Sequence, residues 1–197
     1  MSIVGLDLAG VETRPTGFCT LKAMHAETSL MFQDQEILDA IRRIKPTLVA
    51  IDAPLSLPPG RKSIDERTDE HLRECDRELL RRHIKFFPIT LGPMRKLTER
   101  GIKLRRILEA EGYVAMEAYP GGAQDVLGIP RKQRGLDKLT AGLQALGILG
   151  LKNGLSDHEL DAATIAYVGQ LFLEGKAEVY GSPNDGILMP KKEERER

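Results

Sequence analysis

The chain has 197 residues, enough for one sizeable core, and its 29 Lys plus Arg balance 29 Asp plus Glu, so net charge singles out no nucleic-acid or membrane partner. Its 2 cysteines, Cys19 and Cys75, stand far apart without CxxC or Cys/His spacing, which excludes a structural zinc site and fits a reducing compartment. With no basic, apolar leader and no run near the ~20 apolar residues of a membrane span, the expected location is the cytoplasm, off the membrane.

In chain order, residues 3 to 8 ("IVGLDL") read as a short buried strand, and 17 to 24 with 26 to 32 read as two more that complete an antiparallel meander. Asp34 offers an N-cap to "QEILDAIRRI", whose Ile37, Ile41 and Ile44 recur at helical spacing, and Pro46 follows its end. A second apolar run, "LVAIDAPL", delivers Asp52 to a strand end, as the first run delivers Asp7. "PLSLPPG" then breaks the chain, and a charged stretch reads as a helical insertion over 58–110. "GYVAMEAY" restores a strand carrying Glu117, 135 to 149 reads as a helix, and "LSDHELDAATIAYVGQLFLEG" gives the strongest helical pattern. Residues 1–190 are expected to form a single domain, with 191–197 a disordered tail.

Charge is segregated within this neutral chain. Residues 60 to 106 hold fourteen Lys or Arg against eight Asp or Glu. Arg73, Arg77 and Arg81 stand at i, i+4, i+8, so on one continuous helix they form a single ridge. Like charges at that spacing repel unless anions face them, which makes the ridge either a phosphate-binding surface or a solvated face partly neutralised by Asp69, Asp76 and Glu78.

The acids carry the chemistry. Asp7 and Asp52 end strands and Glu117 sits near the end of another, and strand ends beside a topological switch form the crevice where α/β sheets bind ligands. Each acid taken singly is explained as a turn or cap residue. As a converging set they need positive charge among them, and a hard divalent cation, Mg²⁺ or Mn²⁺, takes such oxygen ligands. On the last helix, Ser156 and Glu159 form an S-x-x-E capping box, and Asp157 is explained as a first-turn acid at the positive helix end. Asp161 instead lies in register with Ile165, Val168 and Phe172, an apolar line that faces the sheet. His158 lies one turn before Asp161 on the same side, placed for a catalytic or substrate-contacting role.

The strand–Asp–Gly turn "GLDLAG", the meander, "AIDAPLSLP" and the late "DHELDAATIAY" helix resemble the ribonuclease H-like superfamily. The closest resemblance, which also takes in "CDRELL", "GPMRKLTERG" and "EAYPGG", is to the predicted nucleases of domain-of-unknown-function family 429, and the last motif is similar to the Asp-Ala helix of Holliday-junction resolvases. The resemblance implies an α/β fold with a five-stranded mixed sheet flanked by helices and Asp7 on the central strand. It implies a metal-dependent nuclease whose metal-activated water attacks a phosphodiester of nucleic acid. Asp7 carries over as the first metal-binding acid and Asp161 as the last, with Asp52 and Glu117 both candidates for the second. Asp157 is a further metal-ligand candidate, ranked below Asp161. The insertion would grip the substrate backbone. Two other readings stand beside it: a non-catalytic nucleic-acid-binding module, and an ATP-binding phosphotransferase of the actin-like ATPase and sugar kinase class. The latter needs a second similar half, and neither G-x-x-x-x-G-K-[ST] nor G-x-G-x-x-G is present. A homodimer is compatible with the sequence, which sets no oligomeric state.

Overall fold

The computed structural model describes residues 1–192. A meander of β1 (Ser2–Asp7), β2 (Thr16–Lys22) and β3 (His25–Met31) leads through α1 (Asp34–Ile44) to β4 (Leu48–Ile51). Next come α2 (Glu74–Arg81), α3 (Gly92–Ala110) and β5 (Ala115–Ala118), then α4 (Pro120–Leu127), a 3-10 turn (Lys132–Arg134) and α5 (Leu136–Ala145). The chain closes with α6 (Asp157–Leu173) and a hairpin of β6 (Ala177–Tyr180) and β7 (Ile187–Pro190). The sheet has seven strands in the order β3-β2-β1-β4-β5-β7-β6. The expected five are all present; the hairpin adds the other two, with β7 parallel to β5 and β6 antiparallel to β7. Among the described residues no helix is long and apolar enough to cross a membrane.

Strand alternation sorts the core into two layers. Ile3 on β1, Leu48 and Ala50 on β4 face α6 and the helices around it, in a cluster with Leu143, Leu160, Ile165 and Val168. Val4, Leu6, Val49 and Ile51 point the other way, onto Ile37 and Ile41 of α1 and Leu104 and Leu108 of α3. Parallel strands need a crossover element between them, and α3 is that element for β4 and β5. Within the expected insertion of 58–110, α3 packs into the core through Leu104 and Leu108, α2 is the other α-helix, and residues 52–73 hold no regular element. Asp34 does not cap α1, whose N-cap is Gln33; its carboxylate instead binds Arg100 of α3, Nε–Oδ1 2.8 Å. Lys191 is tied to the preceding hairpin, its N–H donating to the Lys176 carbonyl at 3.0 Å, while residues 193–197 of the expected tail lie outside the described residues.

The seating of α6 needs two bare positions on the sheet. A Cβ at Gly5 would stand 2.1 Å from the Ala162 carbonyl oxygen, and one at Gly17 only 1.9 Å from that of His158. Both strands thus meet the helix backbone to backbone. Gly17→Ala is expected to lift the start of α6 and to lower stability by about 3 kcal/mol, at the upper end of overpacking costs, measured by urea denaturation. Gly154→Ala is its counterpart in open space, strained only by its positive φ of 83°.

Candidate active site

Strand pairing fixes the first two acids. β1 and β4 are adjacent and parallel, with Leu6 opposite Ile51, and the Asp52 N–H continues the ladder by donating to the Leu6 carbonyl at 2.8 Å. Asp7 and Asp52 therefore end neighbouring strands, and by alternation both point to the face that α6 covers. Their carboxyls are within hydrogen-bonding reach of each other. Burial, then the charges of Asp7 and Asp161, hold the Asp52 carboxyl well above the ordinary carboxylate range.

The start of α6 supplies the rest. Its capping box forms as expected: the Glu159 N–H donates to Ser156 Oγ at 3.2 Å, and the Ser156 N–H to Glu159 Oε2 at 3.0 Å. Gly17, opposite Asp7 in the β1–β2 ladder, admits the first turn so closely that His158 Nδ1 reaches Asp7 Oδ2 at 2.6 Å. That hydrogen bond, followed by the Asp7 charge, raises the His158 imidazole above its ordinary value and favours the imidazolium. Asp161 is buried; its Oδ1 accepts from Gln124 Nε2 at 2.8 Å and its Oδ2 meets Lys132 Nζ at 2.8 Å. Burial raises the Asp161 carboxyl and Lys132 opposes that rise. Asp157 is half-buried at 3.1 Å from the same ammonium, which against burial pulls its carboxyl below the ordinary value. Lys132 thus bridges the two α6 acids, and its own value is raised by them against the cost of burial.

The structure does not bring Glu117 into this group. Glu117 lies opposite Ile51, so its side chain leaves the sheet on the α3 face. There it accepts from Arg73, Nη1–Oε2 2.6 Å and Nη2–Oε1 2.9 Å, and from the Leu55 N–H at 2.9 Å. Arg73 is 5% exposed and binds Asp76 as well, Nη2–Oδ1 2.8 Å. Burial raises the Glu117 carboxyl, and the guanidinium works against that rise. The arginine ridge is corrected accordingly. α2 begins only at Glu74, so Arg73 is its N-cap and points inward, while Arg77 pairs with Glu70 and Arg81 with Glu78. A pair buried in this way costs several kcal/mol to break on one side, because the other charge is then stranded. Arg73 is thus a structural tie between the insertion and the sheet.

Asp7, Asp52 and Asp161 offer the hard oxygen set that a divalent cation takes, with Asp52 buried beside the other two. The donor chemistry fits Mg²⁺ or Mn²⁺. Among the described residues no three such side chains already stand in coordinating geometry, and Lys132 holds one oxygen of Asp161. Sequence reasoning missed Lys132 and Gln124. Neither has a spacing signal toward Asp161: Gln124 arrives on α4 and Lys132 on the 3-10 turn that follows it.

Comparison with known proteins bears on the fold. A search of curated proteins finds no match. Two solved structures of similar shape are Thermus thermophilus RuvC in complex with a Holliday junction substrate and T. thermophilus RuvC alone. The first has a TM-score of 0.55 at 13% identity, covering 89% of this chain and 96% of that one. The second has 0.51 at 15%, covering 89% and 97%. At these identities the likeness establishes an α/β, ribonuclease H-like fold. Residues 5–185 match the family described as protein of unknown function (DUF429), and the chain belongs to that family.

Proposed function

We propose that the protein is a divalent-metal-dependent nuclease, a hydrolase of phosphodiester bonds in nucleic acid, with Asp7, Asp52 and Asp161 holding Mg²⁺ or Mn²⁺. The observation that carries this reading is the meeting of three acids from two strand ends and a helix, where burial first and then the charges of Asp7 and Asp161 hold the Asp52 carboxyl above its ordinary range. A RuvC fold in complex with a Holliday junction supports nucleic acid as the partner. When bound, the ion would supply an activated water and neutralise charge at the leaving oxygen. Of the two second-acid candidates the reading takes Asp52, since Glu117 is committed to Arg73.

The chain's own groups have distinct tasks. His158 fixes the orientation of the Asp7 carboxylate through Nδ1, which leaves Nε2 for a substrate oxygen. Gln124 holds one oxygen of Asp161 so that the other faces the cluster. Lys132 balances the charges of Asp157 and Asp161 and would be available to a phosphate oxygen if a cation took over that role. The described strands form one sheet, not the two similar halves of actin-like phosphotransferases.

A panel of labelled DNA and RNA strands, duplexes and junctions incubated with Mn²⁺ tests the activity. The wild-type protein is expected to cleave at least one of them and Asp7→Asn none. Equal cleavage by both would assign the activity elsewhere, and binding without metal-dependent cleavage would favour the non-catalytic module.

The two acids of α6 are separable by stability. Saturating Mn²⁺ is expected to raise wild-type stability by about 1–3 kcal/mol, and Asp161→Asn to abolish that gain. Asp157→Asn keeps most of it and loses only a few tenths of a kcal/mol at the helix end. Thermal melts with and without metal give the ranking, and the reverse order contradicts the assignment.

A further inference from the structure

Two cavities flank the first turn of α3 and share Met94 and Leu97 as a common wall. The first, of about 170 Å³, opens beside the carboxylate cluster, with Asp52 part of its lining. Phe86, Phe87 and Tyr119 give it aromatic sides. The charged groups beneath, Arg73, Asp76 and Glu117, are bound to one another, and the Tyr119 hydroxyl donates to the Lys85 carbonyl at 2.7 Å. What the cavity offers a ligand is therefore flat apolar surface, in a space close to that of an apolar cavity of about 150 Å³ known to hold a benzene ring. Phe87 stands at its edge with 72% of its surface exposed.

The second cavity, of about 440 Å³, lies beyond Met94 and Leu97 and is lined by Gly10, Arg14 and Lys96 among others. Arg77 and Arg81 of α2 each have a carboxylate partner. Arg14 and Lys96 are exposed, and among the described residues neither has an ion pair. They are cations left free for anions from outside, on the loop that follows Asp7 and on the helix behind it.

We propose that the cavity beside Asp52 receives one unpaired nucleobase of single-ring size from a single-stranded or locally unwound nucleic acid, while Arg14 and Lys96 hold backbone phosphates of the same strand. The proposal rests on the nuclease reading and specifies its substrate. A base stacked within a duplex has no face to offer Phe87 and Tyr119, whereas an extruded base stacks between such rings. Because Asp52 belongs to both the cavity and the carboxylate cluster, a base seated there brings its own phosphodiester to the acids.

Fluorescence anisotropy in EDTA tests this with three labelled probes: a twelve-residue thymidine strand, an abasic strand of the same length, and the thymidine strand paired in a duplex. Wild-type protein is expected to bind the thymidine strand about tenfold more tightly than the abasic one. Phe87→Ala should erase that preference and Phe87→Trp restore it; at this exposed position neither change threatens the fold. Joint Arg14→Gln and Lys96→Gln substitution should weaken both single strands alike, lowering the salt slope by about 0.7 per lost contact. Equal binding of thymidine and abasic strands, preference for the duplex, or an unchanged preference in Phe87→Ala overturns the base site. In each of those cases Mn²⁺-dependent cleavage of the same probes leaves the nuclease reading standing. If the wild type binds none of these probes but cleaves another member of the panel above, the base site alone falls; if it cleaves no member of that panel, the nuclease reading falls and the base site with it.

Discussion

The arrangement of the site depends on how closely α6 lies on the sheet. Gly5 and Gly17 remove the side chains that would otherwise hold the helix off the sheet; Ala162 and Ala166 meet Gly5 from the helix side, and the backbone of His158 meets Gly17. Only at that distance does the first turn of α6 reach the strand ends. His158 can then touch Asp7, and Asp161, one turn further, can face the same crevice. Side-chain alternation does the remainder, since Ile3, Gly5 and Asp7 share a face and that face is the one the helix covers.

Gathering acids in a partly buried crevice is unfavourable, and the protein meets that cost unevenly. Glu117 receives a buried guanidinium with two parallel hydrogen bonds, the strongest neutralisation available to a carboxylate. Asp161 and Asp157 share one flexible ammonium, and Asp7 has an imidazole. Among the described residues Asp52 has no cation of its own, and it sits against Asp7. The gradient runs from a permanent ion pair, through exchangeable ones, to an acid left in excess. A purely structural cluster would not need that last member, whereas a site that admits a cation from solvent does.

Much of this was legible in the residues. The meander, the strand ends at Asp7 and Asp52, the capping box at Ser156 and the inward register of Asp161 each follow from local periodicity, and the structure holds all of them. Glu117 was not separable from Asp52 by sequence. Which face a strand-end acid takes depends on the register between β4 and β5, and a shift of one residue reverses it. The arginine ridge failed for a related reason: i, i+4 spacing means one face only if the helix contains all three residues, and α2 starts one residue too late for Arg73. The C-terminal hairpin was unread because "AEVY" and "ILMP", no shorter than β4 and β5, flank the turn-rich "GSPNDG" and carry no strand-end acid of the kind that marks Asp52 and Glu117.

The central claim, that Asp7, Asp52 and Asp161 hold a divalent ion, is tested most directly by anomalous diffraction from crystals equilibrated with millimolar Mn²⁺. The account predicts a manganese peak bounded by those three carboxylates, with Lys132 drawn away from Asp161. A crystal in which the Lys132–Asp161 pair is intact and no manganese lies between the three acids would contradict it.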